Sequence, residues 1–256
     1  MSGGELAFDA GIVWLIGALF FVLALLYSSV GHAGASGYLA VMALFEISQE
    51  LMRPVALSLN ILVASLTVFR FHKAGYLKGK DIWPLVIASV PSAFIGGSMT
   101  LPMDIYRPAL GGLLLASAAY LLWSAFTDPE TFAKDKAHLP RVPALGLGGG
   151  IGLASGLTGI GGGVLLSPTI LILRWTNVRR TSAIAASFIL FNSTAGLAGN
   201  VIASGRFPAV IPIWAAAAML GGFIGSKMGS QVLAPKVLIW LLSAALVIAG
   251  GKFLFA

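Results

Sequence analysis

The chain has no cysteine, which removes disulfides, thiolate metal sites and cysteine nucleophiles at once. Charge is scarce too: only 10% of its 256 residues are Asp, Glu, Lys or Arg, where a soluble globule carries about a quarter. Acid is scarcest, with nine carboxylates: Glu5, Asp9, Glu46, Glu50, Asp81, Asp104, Asp128, Glu130 and Asp135. All nine fall in termini, loops or helix ends. A proton relay through a midplane Asp or Glu is thereby excluded, as is an electrostatic site for a cation. The three histidines, His32, His72 and His138, stand far apart with no ligand spacing, so no metal and no cofactor is expected.

What fills the chain instead is apolar. Hydrophobic residues make up 58% of it, and the mean hydropathy is +0.94. Runs of spanning or near-spanning length recur from end to end, and they do not alternate as barrel strands would. The expectation is an all-α membrane protein. The leader MSGGELAFDA carries two acids and no Lys or Arg, so the first run reads as a retained helix and not as a signal peptide. The net charge of +7 would suggest nucleic acid in a soluble protein; here the basic residues sit between helices, and no nucleic-acid partner is expected.

Ten helical segments are predicted, over 10–30, 37–46, 51–71, 82–100, 108–126, 143–157, 162–174, 178–203, 208–228 and 236–255. The second, sixth and seventh are short, and each abuts a glycine-rich stretch, as broken or re-entrant helices do. The polar loop TDPETFAKDKAHLPR divides the chain into a first repeat over 1–126, a linker over 127–142 and a second repeat over 143–256. GASGYLAV at 34–41 lines up with GIGGGVLL at 159–166, and FIGGSM at 94–99 with FIGSKM at 223–228. Five helices per repeat is an odd number, so the two copies enter the membrane from opposite sides and are inverted.

Basic residues agree with that count. Twelve (Arg70, Lys73, Lys78, Lys80, Lys134, Lys136, Arg141, Arg174, Arg179, Arg180, Lys227 and Lys236) fall in one set of loops, and four (Arg53, Arg107, Arg206 and Lys252) in the other. Cytoplasmic loops are the basic ones, so the linker is cytoplasmic and both termini lie outside. Trp14, Trp83, Trp123, Trp175, Trp214 and Trp240 fall near segment ends, where an interfacial aromatic belt belongs.

Helix breaks inside a bilayer expose amides costing several kcal/mol each, so they persist only when buried in protein or lining a wet cavity. Helices starting at Ser36 or Gly37 and near Gly162 offer free amide donors and the positive ends of their dipoles, which suit an anion. Gly34, Gly37, Gly161, Gly162 and Gly163 let backbone approach such a ligand. Plain helix packing is the competing reading, and it is preferred for Gly148, Gly152 and Gly156 and for Gly221, Gly225 and Gly229, spaced by four. The stretch GLTGIGGG lacks the following Lys and Ser or Thr of a P-loop, so no nucleotide site is read there. Ser58 and Asn60 on the third segment, and Ser187, Asn192, Ser193 and Thr194 on the eighth, are polar groups inside the hydrocarbon span. Asn60 and Asn192 suit ligand contact as well as bonds across helices; for the lone serines structural bonding is preferred. For His32 two readings stand: a group that carries a proton or adds positive charge, and a neutral ring bonded to a nearby carbonyl.

The paired motifs GHAGASGYLA and GLTGIGGGVLLSP, with their matched spacing, resemble the TauE/SafE group of sulfite and organosulfonate exporters over nearly the whole chain. The resemblance implies transport, not catalysis, of sulfite, sulfoacetate or other sulfonates across the bacterial inner membrane. It maps the substrate path onto residues 31–38 and 158–163. The candidate substrate set is therefore His32, Gly34, Ser36, Gly37, Asn60, Thr158, Gly161, Gly162, Gly163, Ser187 and Asn192. His32, Ala33 and Ala35 stand where the family often has glycine. The partners expected are a small anion and the lipid bilayer, with homodimerisation left open. A secondary transporter working by alternating access is the main reading; a passive anion channel and an integral-membrane enzyme are its rivals.

Overall fold

The computed structural model describes residues 9–29, 32–77, 79–126, 139–205, 207–228 and 236–255. Among these the fold is all-helical. The helices are α1 (Ala10–Ser29), α2 (Ala35–Leu44), α3 (Gln49–Lys73), α4 (Gly79–Ser98), α5 (Met103–Phe126), α6 (Arg141–Thr158), α7 (Gly163–Ile172), α8 (Val178–Ser204), α9 (Ile211–Met228) and α10 (Lys236–Phe255). Lys78, Arg206, Lys134, Lys136, His138, Gly229 and most of the linker lie outside the described residues. At its far end α6 begins at Arg141, inside the expected linker, directly after Pro140.

Among the described residues, four helices are long and apolar enough to cross a membrane: Ala10–Ser28 of α1, α3, Met103–Trp123 of α5, and α8. Of these, α3 and α8 are the most enclosed by protein. They pack on each other in the middle of the bundle. α2 and α7 have 10 residues each, about 15 Å of helix, or half the hydrocarbon thickness. Each starts inside the protein at a glycine in the left-handed region: Gly34 (φ 95) caps α2 and Gly162 (φ 78) caps α7. The sequence register pairs Gly34 with Gly159, but the helix starts pair Gly34 with Gly162. Only the backbone reveals this shift, because the second motif holds three left-handed glycines to choose from.

Glycine ladders set the helix spacing. Gly148, Gly152 and Gly156 of α6 lie flat against the backbone of Leu85, Ser89 and Ala93 of α4, so a Cβ at any of them would strike a main-chain carbonyl oxygen. Gly221 and Gly225 of α9 do the same against Phe21 and Leu25 of α1. In lipid, where apolar burial gives no preference for helix over tail, such close backbone approach is what drives association. The packing reading holds for both described series.

Contacts recur when five is added to or taken from both helix numbers. α1 packs on α9 as α6 does on α4; α3 on α9 answers α8 on α4; α2 on α10 answers α7 on α5. α3 with α8 and α5 with α10 are their own counterparts.

The aromatic belt is only partly as expected. Trp14, Trp83 and Trp240 are exposed on the outer surface, but Trp175 and Trp214 are buried. Trp214 is held inside because its indole Nε1 finds an acceptor, the Val13 carbonyl at 3.0 Å, and its ring meets Phe20 edge-on.

Candidate functional site

The first break follows α1. The His32 amide donates to the Tyr27 carbonyl (2.9 Å), Gly34 turns the chain left-handed, and α2 begins. A side chain at Gly34 would be strained by its φ and would press on the Tyr38 ring at 3.0 Å; one at Gly37 would meet Leu23 at 2.9 Å. Residues 32–43 are all buried. Ser36 Oγ shares a hydrogen bond with the Tyr27 hydroxyl (2.9 Å), and His32 Nε2 shares one with Ser167 Oγ (3.0 Å) on the second turn of α7. Ser167 also bonds Tyr120 of α5. A residue of the first break thus touches the helix that leaves the second.

The second break follows α6 and has left-handed glycines at 159, 161 and 162. Residues 158–164 are all buried. The first-turn amides of α7 have no acceptor within their own helix, and among the described residues no backbone carbonyl accepts from Gly161, Gly162 or Gly163. Ile160 of this break belongs to the same buried cluster as Ala33, Ala35 and Tyr38 of the first, so the two breaks share one core.

α3 and α8 carry buried polar groups that have no hydrogen-bond partner among the described residues. Asn60 and Asn192 are both 0% exposed, and both side-chain polar atoms of each lack a partner. Ser193 Oγ and Ser58 Oγ are buried and unpartnered as well. Asn60 faces the second break: a Cβ on Gly161 would lie 2.5 Å from Asn60 Nδ2 and 3.4 Å from Ser193 Oγ. A buried amide left without hydrogen bonds costs about 1–3 kcal/mol, so two fully buried asparagines with no protein partner call for a polar guest, water or solute.

The remaining expected residues sit close by but are bonded locally. Thr158 Oγ1 donates to Ala154 O (2.7 Å) and Ser187 Oγ to Ala183 O (3.0 Å), each the carbonyl one turn back in its own helix. Ser36 spends its hydroxyl on Tyr27. Asn60 and Gly161, with Ser193 added, form the part of the candidate set that the structure brings into contact around unsatisfied groups.

One residue at this site escaped sequence reasoning. Arg53 was counted among loop cations, but it lies in the second turn of α3 and is only 2% exposed. Its guanidinium donates to Met99 O (2.9 Å), Gly96 O (3.0 Å), Gly97 O (3.0 Å) and Gly156 O (2.9 Å). These are the carbonyls that the ends of α4 and α6 leave without intrahelical partners. Arg53 Cα would sit 3.2 Å from a Cβ on Gly159, so the arginine abuts the first residue of the second break. The proline that follows it, Pro54, gave no hint of burial. Ser193 did carry a signal, its place beside Asn192.

The family described as Sulfite exporter TauE/SafE matches residues 15–253. The chain belongs to the TauE/SafE family. A Sinorhizobium fredii protein described as "Probable membrane transporter protein y4hK" is 39% identical over 236 residues, covering 92% of this chain and 96% of that one. A Methanocaldococcus jannaschii protein, also described as a membrane transporter, is 27% identical over 142 residues, 54% of this chain and 51% of that one. No solved structure matches the chain. The family match takes in both breaks, Asn60, Asn192 and Arg53, and the protein is a membrane transporter of the TauE/SafE type.

Proposed function

We propose that this transporter is a secondary carrier for small sulfur-containing anions (sulfite, sulfoacetate or other organosulfonates) and that it works by alternating access at a site between α3, α8 and the start of α7. The observation that carries the reading is the orphaned pair Asn60 and Asn192. Both are fully buried near the middle of their helices, both lack hydrogen-bond partners, and one faces left-handed glycines at a helix N-terminus. Amide donors and a positive helix end suit sulfonate or sulfite oxygens, and the side-chain amides orient them. Sulfite is named in the family description, and the sulfonates extend it through the same sulfur-bound oxyanion.

Alternating access is supported by the way the main helix contacts recur at five helices' distance, the pattern two inverted repeats would produce. The halves would rock about the α3–α8 contact, exposing the site first to one side and then to the other. Given odd parity and the excess of Lys and Arg on one set of loops, both termini lie outside a bacterial inner membrane.

The test is counterflow in proteoliposomes with sulfite, sulfoacetate, taurine and thiosulfate, with wild type beside Gly162→Leu. Saturable exchange of at least one sulfur anion, abolished by G162L while the protein stays folded, is the expected result. Exchange that persists in G162L sinks the site, and ohmic current without counterflow sinks the carrier reading in favour of a channel.

A further inference from the structure

The proposed anion site is made of neutral donors only, and the formal positive charge nearest to it in sequence on the same helix is one the chain has hidden. Arg53 and Asn60 are seven residues apart on α3, two turns, and so share one face of the helix. Both stand against the second break, Arg53 with its backbone and Cβ at Gly159 and Asn60 with its side-chain amide at Gly161, while the guanidinium reaches the carbonyl of Gly156 three residues before that break's first glycine.

We propose that Arg53 is the fixed cation of the substrate site: its uncompensated charge makes the neutral amide cluster selective for anions. This rests on the reading of the α3–α8 cluster as the substrate site. All the bonds of the guanidinium go to carbonyls, and Nε has no partner. Of the acids whose exposure is described, Asp9, Glu46, Glu50 and Asp104 are all exposed, and the groups that accept from Arg53 are carbonyls, not carboxylates. Carbonyls satisfy the donors but carry no net charge. The negative ends of α4 and α6 hold the arginine in place, yet the effect of a helix end falls off within a turn, while the interaction energy with a unit charge decays only as the inverse of distance.

Seven residues at about 1.5 Å each set the two Cα atoms about 10 Å apart, and the arginine side chain leans further toward the helix start. A unit charge about 12 Å away at an effective dielectric of about 20 changes the affinity for a monoanion about tenfold. It leaves a neutral ligand of the same shape unaffected. That difference separates a selectivity role from a clamp that only holds α4 and α6 together, because a broken clamp weakens both ligands alike.

The experiment uses the full chain in neutral phosphatidylcholine nanodiscs and measures binding of two probes: methanesulfonate, a monoanion, and dimethyl sulfone, its uncharged analogue. The readout is the ratio of their affinities in wild type, Arg53→Lys and Arg53→Gln. R53Q is expected to lower the ratio about tenfold, whereas R53K, which keeps the charge and loses the fork, keeps the ratio within about threefold of wild type even if both affinities fall. The inference is overturned if R53Q weakens both probes equally, or if R53K loses the ratio. Should R53Q fail to fold, Arg53→Met takes its place with the same expected loss of ratio, and wild-type protein that binds the two probes with equal affinity overturns the inference without any variant. Wild-type protein that binds no methanesulfonate overturns the proposed substrate site itself, and this inference with it.

Discussion

Replacing Asn60 with leucine separates a ligand-binding amide from a structural one. A structural asparagine makes hydrogen bonds in the empty protein, and its loss costs roughly 0.5–1.5 kcal/mol per bond, more where a partner is left stranded. Asn60 makes none: its Nδ2 and Oδ1 are both buried and unpartnered. Leucine of similar size therefore removes an unsatisfied amide worth about 1–3 kcal/mol of destabilisation and leaves no partner behind. The unliganded N60L protein should be as stable as wild type or more so. Ligand stabilisation should behave in the opposite way. A ligand at a hundred times its dissociation constant stabilises wild type by about 2.7 kcal/mol, and that gain should vanish in N60L. The assay is thermal unfolding in detergent at a fixed scan rate, with and without the best substrate from the counterflow screen. An N60L protein that loses more than about 1 kcal/mol when empty, or that keeps the ligand shift, would refute the reasoning: the first result means Asn60 has a structural partner, the second that the ligand sits elsewhere.

Three further outcomes follow from individual contacts. Gly156→Ala should destabilise by about 1–3 kcal/mol because its Cβ meets the Ala93 carbonyl; Gly150→Ala, on the same helix but in open space, should be neutral or stabilising by up to about 1 kcal/mol, and equal effects in chemical unfolding would contradict the ladder. Ser167→Ala removes the bonds to His32 and Tyr120 and should cost about 1–3 kcal/mol in the same measurement, with no loss meaning that the link between the first break and α7 is unimportant to stability. Glu46 is exposed, but its bond to Lys252 (3.0 Å) and that residue's charge hold its carboxyl below the usual range. A depressed folded-state value gives stability that is present above the ordinary carboxylate range and lost as pH falls through it. Glu46→Gln should therefore flatten the acid limb of a melting-temperature profile slightly, and an unchanged limb would show the pair contributes nothing.

Much of the fold was legible because membrane helices are written locally. An apolar run bounded by proline, glycine or charge has one way to satisfy its backbone in lipid, and the ten segments appear with ends shifted by a few residues. The glycine ladders were legible for the same reason: small residues spaced by four mark one face, whatever that face meets. The short helices after the two glycine motifs were legible as breaks, because nothing else explains so many glycines before a ten-residue apolar run. Which glycine turns left-handed was not. Gly159, Gly161 and Gly162 all do, and only the last caps α7, a matter of how the chain reaches its neighbours.

Arg53 and Trp214 were misplaced by rules that hold on average. An arginine near a helix start reads as an interfacial cation, and a tryptophan near one reads as a belt residue. Each is buried because a distant segment supplies acceptors: the ends of α4 and α6 for Arg53, and Val13 of α1 for Trp214. The sequence by itself determined that this chain lives in lipid, where its helices run, where they break, and that no carboxylate waits in the middle of a span. Tertiary structure alone decided which polar groups are answered and which are left open, since a hydrogen bond between residues 53 and 156, or its absence at residues 60 and 192, depends on segments that meet only after the bundle has closed.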